Sequence, residues 1–213
     1  MRGVLWDLDG TLVDSRADLA ASGNAVRSAL GLPPLALDAV TAMIGDGLTV
    51  LLQRLLPEGT DLVWAKSIFA DHYDKQCTEQ TPLYAGINEV LAHLHGAGWK
   101  IALVSNKPLR WCQQILQARG IADFFHSAIG GDGVCKPKAD PLLAVCAQMG
   151  LPVEQVVMVG DLANDILAAQ AAGCASIHVS WGFAPLPQGL RSTLSCSNVS
   201  DLPRLLDELL PSP

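Results

Sequence analysis

Gly3-Val4-Leu5-Trp6-Asp7-Leu8-Asp9-Gly10-Thr11-Leu12-Val13-Asp14 is the stretch from which the fold is read. It opens as a short apolar run, Gly3–Leu8, which predicts a strand. That strand brings two carboxylates, Asp7 and Asp9, to its end, where an open α/β sheet presents side chains to a crevice. If the backbone turns sharply at Gly10, the two can divide labour. One attacks phosphorus while the other handles the proton of the leaving group. A divalent cation eases both roles. Magnesium takes oxygen ligands and keeps several waters, so a carboxylate, a backbone carbonyl and a further Asp make a suitable set beside a substrate phosphate.

Outward from this stretch, three more apolar runs repeat the pattern: Trp99–Val104, Val156–Val159 and Ser176–Val179. Each leads into a loop with Asp, Ser, Asn or Gly, and helical patterns follow the first three of the four runs. Such alternation marks an α/β fold, a parallel sheet with crossover helices. Between about Ser15 and Thr81 only helices are predicted, at Arg16–Leu30, about Leu35–Ile44, Leu48–Leu56 and Asp61–Glu79. Their breaks, Gly31-Leu32-Pro33-Pro34, Gly45-Asp46-Gly47 and Pro57-Glu58-Gly59, carry the Pro and Gly of helix–helix connections. A helical insert is implied.

Half of the 213 residues are hydrophobic and 16% are charged, which suits one or two compact domains. A formal net charge of -7 and a pI near 5.0 repel polyanions, so neither nucleic acid nor an anionic membrane is an expected partner. A small anion is still admissible. The first run is too short and too acidic for a signal peptide, and no segment approaches a membrane span, so a cytoplasmic protein is expected. Cys77, Cys112, Cys135, Cys146, Cys174 and Cys196 form no close C-x-x-C pair and read as reduced thiols.

Asp7 to Ser15 matches D-x-D-G-T-[LV]-x-D-[ST]. In this the chain resembles the phosphatase branch of the haloacid dehalogenase superfamily. The resemblance implies that Asp7 is the nucleophile and Asp9 the general acid/base. It also implies that the Asp7 side chain and the Asp9 main chain hold magnesium, with Thr11 among the phosphate-binding groups. Ser105-Asn106-Lys107-Pro108, after the second run, resembles the second motif, whose hydroxyl binds the transferring phosphoryl oxygen. Ser105 and Asn106 are expected there. Taken alone, the same string reads as a helix N-terminal cap.

Gly130-Gly131-Asp132 and Lys136-Pro137 resemble the third motif, in which Lys136 neutralises charge between nucleophile and phosphate. Cys135 and Ala139 stand where that motif commonly has Gly and Pro, and Lys138 competes for the lysine's role. Gly160-Asp161-Leu162-Ala163-Asn164-Asp165 matches the fourth motif, G-D-x-x-x-D. Its spacing puts the two Asp about one helical turn apart, so Asp161 would take magnesium while Asp165 orients the ligands from behind. The plainer reading is an acidic helix start favoured by the helix dipole.

The resemblance covers essentially the whole chain. It implies a doubly wound, Rossmann-like core from 1–14 and 82–213, with 15–81 as a helical cap that shields an aspartyl phosphate intermediate. Ile44-Gly45-Asp46-Gly47-Leu48, Asn106-Lys107-Pro108 and Ser180-Trp181-Gly182-Phe183 look like stretches of bacterial phosphoglycolate phosphatases, which read G-x-G, T-N-K-P and Y-G-Y or W-G-Y. Gly45, Asp46 and Gly47 are accordingly expected to face the substrate. The implied partner is a small phosphorylated metabolite, 2-phosphoglycolate first. Sugar phosphates, muramic acid phosphates and pyrophosphate are the alternatives known among relatives. The assembly expected is a monomer or homodimer.

Asp9 argues against a dehalogenase. Lys66 and Lys75, the cap candidates for a phosphonatase Schiff base, are expected to face solvent. A phospholigand-binding protein without turnover is the reading from another class, and the set Asp7, Asp9, Lys136 and Asp161 speaks against it. His93 and His95 point to different helix faces, while His72, His126 and His178 suit packing or surface roles. Trp6, Trp64, Trp99 and Trp111 suit packing, and Trp181 the mouth of the site.

Overall fold

The computed structural model describes residues 1–211. Its strands are β1 (Gly3–Trp6), β2 (Lys100–Val104), β3 (Ser127–Ile129), β4 (Val156–Gly160), β5 (Ala175–Val179) and β6 (Leu194–Cys196). They form one sheet in the order β3-β2-β1-β4-β5-β6, and every pairing is parallel. The strand order reverses at β1, so the crevice beyond the carboxyl ends of β1 and β4 is the switch point where such sheets bind ligands.

Side chains of β1 alternate between two apolar layers, as the period of a strand requires. Val4 and Trp6 enter one cluster and Leu5 the other. The first layer packs under α5 (Ile87–Gly96), α6 (Leu109–Ala118) and α9 (Leu202–Leu209). The second packs under α7 (Asp140–Met149) and α8 (Ala163–Ala172). Helices on both faces of a parallel sheet give the expected doubly wound α/β core.

Four helices are inserted between β1 and α5: α1 (Arg16–Ala29), α2 (Leu37–Thr41), α3 (Leu48–Leu55) and α4 (Leu62–Gln76). Leu19, Val26, Leu52, Leu55 and Phe69 give the insert a buried interior continuous with Leu8 and Leu12 below it. Asp61 starts α4 by accepting from the N–H groups of Val63 and Trp64. The helix expected over Leu35–Ile44 shrinks to five residues. Its last turns, Met43 N–H to the Val40 carbonyl and Ile44 N–H to the Thr41 carbonyl, curl the chain down to Gly45 instead.

β1 stops two residues before the expected Leu8. The Asp7 N–H still bonds the Val159 carbonyl at 2.9 Å, but the N–H groups of Leu12 and Val13 fold back on the Leu8 carbonyl and turn the chain off the sheet. β3 and β6, absent from the sequence reading, are three-residue strands at the sheet's two edges. No membrane-crossing helix is present among the described residues.

Candidate active site

Asp7 leaves the end of β1 beside Lys136, whose Nζ lies 2.9 Å from Asp7 Oδ1. The same ammonium donates to Asp165 Oδ1 at 2.6 Å and to the Val104 carbonyl at 2.7 Å. All three of its protons are thereby engaged inside the protein. Burial works against the charge of Lys136, but Asp165 and Asp7 outweigh it and hold the ammonium above its ordinary range. Lys138, the competitor, is exposed.

Gly10 adopts φ +83, and a Cβ there would lie 2.2 Å from Asp161 Oδ2. The chain therefore turns at this residue against a neighbouring carboxylate, which only glycine permits. As a result Asp9 diverges from Asp7. One oxygen of Asp9 meets Lys107 Nζ at 2.9 Å and the other accepts from the Ser15 hydroxyl. Lys107 is itself buried and donates to the hydroxyl of Tyr73, on α4, at 2.9 Å. Burial again opposes the charge, and Asp9 and Tyr73 together outweigh it.

Asp161, at the end of β4, is wholly buried. Thr11 Oγ1 donates to its Oδ1 at 3.1 Å and the Phe183 N–H to its Oδ2 at 2.8 Å. Gly182 passes so close that a Cβ would sit 2.1 Å from Asp161 Cβ. His178 Nε2 lies 3.1 Å from the Asp161 carbonyl, which only accepts, so that nitrogen carries the proton. Asp165 bonds Lys136 with one oxygen and accepts from the Leu162 N–H at 3.0 Å with the other. It thus caps the start of α8 and orients the site at once.

Above these groups, a cavity of about 50 Å³ is lined by Asp7, Asp9, Ser105, Asn106, Lys107 and Lys136 from below, and by the insert from above. Asn106 ties three segments together. Its Nδ2 donates to the Gly45 carbonyl at 3.0 Å and to the Lys136 carbonyl at 2.9 Å, while its Oδ1 accepts from the Lys136 N–H at 2.9 Å. Ser105 Oγ accepts from the Lys107 N–H at 3.3 Å, which leaves its own proton for an oxygen in the cavity.

A haloacid dehalogenase-like hydrolase family model matches residues 4–179. The chain belongs to this family. Phosphoglycolate phosphatase of Chromobacterium violaceum is 35% identical over 211 residues, covering 95% of each chain. That of Cereibacter sphaeroides is 37% identical over 217 residues, covering 99% of this chain and 100% of the relative. A crystal structure of a predicted phosphoglycolate phosphatase from Haemophilus somnus superposes with a TM-score of 0.90 at 32% identity, covering 96% of this chain and 97% of the other.

Three carboxylates here fit a site for a divalent cation. Oxygens of Asp7, Asp161 and Asp165 lie within 4.8 Å of one another, all buried. Burial, reinforced by the charges of Asp165 and Asp9 and opposed by Lys136, raises Asp7 to about 6. Burial, with Asp7 and Asp165, raises Asp161 well above the ordinary carboxylate value. A divalent ion bound there would supply the missing countercharge. Asp165 has both oxygens engaged by Lys136 and the Leu162 N–H, Asp161 has both engaged by Thr11 and the Phe183 N–H, and Asp7 meets Lys136 through Oδ1. The Asp9 carboxylate points to Lys107, and its carbonyl accepts no backbone hydrogen bond among the described residues.

Two residues expected at the substrate have side chains bonded elsewhere. The Thr11 hydroxyl is buried against Asp161 and does not line the cavity, because the turn at Gly10 aims it behind the site. Asp46 bonds Asn164 Nδ2 at 2.6 Å and Arg54 at 2.5 Å, so its carboxylate fastens the insert to the core. Its neighbours Gly45 and Gly47 do line the cavity. Trp181, expected at the mouth, instead donates to the Thr11 carbonyl at 3.2 Å. Lys66 and Lys75 lie outside the cavity lining. Sequence reasoning missed Lys107 and Tyr73 as a pair, and Ser15 as a partner of Asp9. The string Ser105-Asn106-Lys107-Pro108 marked the place of Lys107 without its role.

The raised aspartates fix a pH dependence. Folded Asp7 holds its proton up to about 6 against an ordinary value of 3.8. Its contribution to stability is therefore complete below the unfolded value and lost as pH rises through 6. Thermal unfolding in chelator should show the midpoint contributed by Asp7 falling between pH 5 and pH 7.5, with magnesium restoring it at the upper end. His178, lowered by burial, acts in the opposite sense. The slope due to Asp7 is thus the difference between the native chain and Asp7→Asn, and a difference that rises with pH would refute the assignment.

Proposed function

We propose that this hydrolase is a magnesium-dependent phosphomonoesterase that works through an aspartyl phosphate on Asp7, with 2-phosphoglycolate as its substrate. The observation that carries the reading is the division between the two carboxylates after β1. Asp7 faces Lys136 and Asp161, while Asp9 is turned to Lys107 and Ser15 on the other side of Gly10.

In the first step an Asp7 carboxylate oxygen attacks phosphorus and the ester P–O bond breaks. The leaving oxygen takes its proton from Asp9. In the second, Asp9 removes a proton from water as that water attacks phosphorus. The Asp7 O–P bond breaks, and inorganic phosphate leaves with the carboxylate regenerated. Ser105 donates to a phosphoryl oxygen, while Lys136, its protons held by Asp7, Asp165 and the Val104 carbonyl, acts through its charge where negative charge develops in both steps. Asp7, Asp161 and the Asp9 carbonyl would hold magnesium, which when bound would supply charge neutralisation at the phosphoryl group. The helices of residues 15–81 act as a cap that keeps bulk water from the intermediate.

Support for phosphoglycolate comes from the named relatives. The test is phosphate release from 2-phosphoglycolate, a hexose phosphate, a muramic acid phosphate and pyrophosphate, with magnesium and with EDTA. Release from phosphoglycolate above the rest, abolished by EDTA, is the expected result. Preference for another ester would keep the chemistry and replace the substrate. Release that ignores EDTA would refute the metal-dependent mechanism.

A further inference from the structure

We infer that Lys107 is the specificity residue of this site, receiving a carboxylate carried by the alcohol half of the substrate. The inference rests on the phosphatase reading above and deepens it. Once Lys136 is committed to the phosphoryl end, the remaining wall of the cavity offers little to a second charge. From the cap come Leu19, Ile44, Leu48, Leu51 and Phe69, all apolar. Among the described lining residues, Lys107 and Lys136 are the cations. A second negative charge that enters this space has Lys107 as its cation.

Its geometry suits the second role. The ammonium has three donors, of which Asp9 Oδ2 and the Tyr73 hydroxyl take two, each at 2.9 Å. Asp9 fixes it from the core and Tyr73 from the cap, and the Tyr73 ring face lies 4.9 Å from Nζ. One donor is left, on a residue that lines the cavity. A pre-positioned, dehydrated ammonium discriminates strongly, because a neutral isostere leaves it facing an unpaired space. The start of α3 adds to the same field. Gly47 begins it without a side-chain cap, and both Gly47 and Leu48 line the cavity, so its first N–H groups favour an anion there.

The test compares kcat/KM for 2-phosphoglycolate, 2-phospholactate and 2-hydroxyethyl phosphate, the last having a neutral CH2OH in place of the carboxylate. The native chain should favour the better carboxylate ester by roughly 100-fold, the scale of a buried charge partner. In Lys107→Met that ratio should collapse towards one, while turnover of the hydroxyethyl ester falls less. A ratio that persists in folded Lys107→Met overturns the inference and leaves the substrate assignment standing. A native preference for 2-phospholactate that Lys107→Met abolishes overturns the phosphoglycolate reading and supports the inference. No preference for either acid overturns both. If Lys107→Met does not fold, Tyr73→Phe serves instead. Its KM should shift several-fold more for the acid than for the neutral ester, and equal shifts overturn the proposal.

Discussion

Asp7→Asn is expected to lower magnesium-dependent phosphate release by ~10⁴-fold or more, the scale for losing a covalent nucleophile. An amide oxygen keeps the shape of the carboxylate but not its electron density, so the bond to phosphorus does not form. Acid quenching of the native enzyme during turnover with labelled substrate should trap label on the protein, and the variant should trap none. The same substitution is expected to make the metal-free protein more heat-resistant at pH 7.5. Asp7 is buried among Asp9, Asp161 and Asp165, and removing one charge relieves that repulsion. Stability and chemistry are in conflict at this residue, as expected of a site assembled for function. Retained release, together with label trapped on the Asp7→Asn variant, would sink the covalent route.

Lys136→Met is expected to lower kcat by about 10³-fold, the scale of losing an electrostatic clamp. It should also cost about 3–5 kcal/mol of stability, because Asp7 and Asp165 are left buried without their partner. Saturating magnesium should return part of that stability, since Asp7 regains a countercharge from the ion, and should return little of the rate. Arginine should not rescue either loss. The Lys136 ammonium fits among Asp7, Asp165 and the Val104 carbonyl in a fully packed position, where a planar fork has no room. Urea unfolding with and without magnesium, beside steady-state rates, checks both halves. Near-native rates in the variant would remove Lys136 from the phosphoryl site.

The four long strands and the inserted helices were legible because each carries a local signal. Val156–Val159 is a buried apolar run bounded by polar loops, and Asp61 announces α4 by its capping carboxylate. β3 and β6 were not, because three residues at a sheet edge are too few to show a period. Asp7, Asp9, Lys136 and Asp161 were legible as residues, through the resemblance of whole strings. What those strings lack is direction. Thr11 sits inside the first string and faces Asp161, while Asp46 sits between two cavity glycines and bonds Asn164 and Arg54. The pairing of Lys107 with Tyr73 joins residues 34 apart on helical insert and core, which no local pattern encodes.

Asn106 offers one amide to two structures of different permanence. Two of its hydrogen bonds grip the backbone of Lys136 and one reaches Gly45 in the cap. A cap that lifts to exchange phosphate for fresh ester gives up the Gly45 bond and keeps the other two. Lys136 then stays in register while the insert moves, and the entropy of ordering its loop is met once, during folding, rather than at each opening.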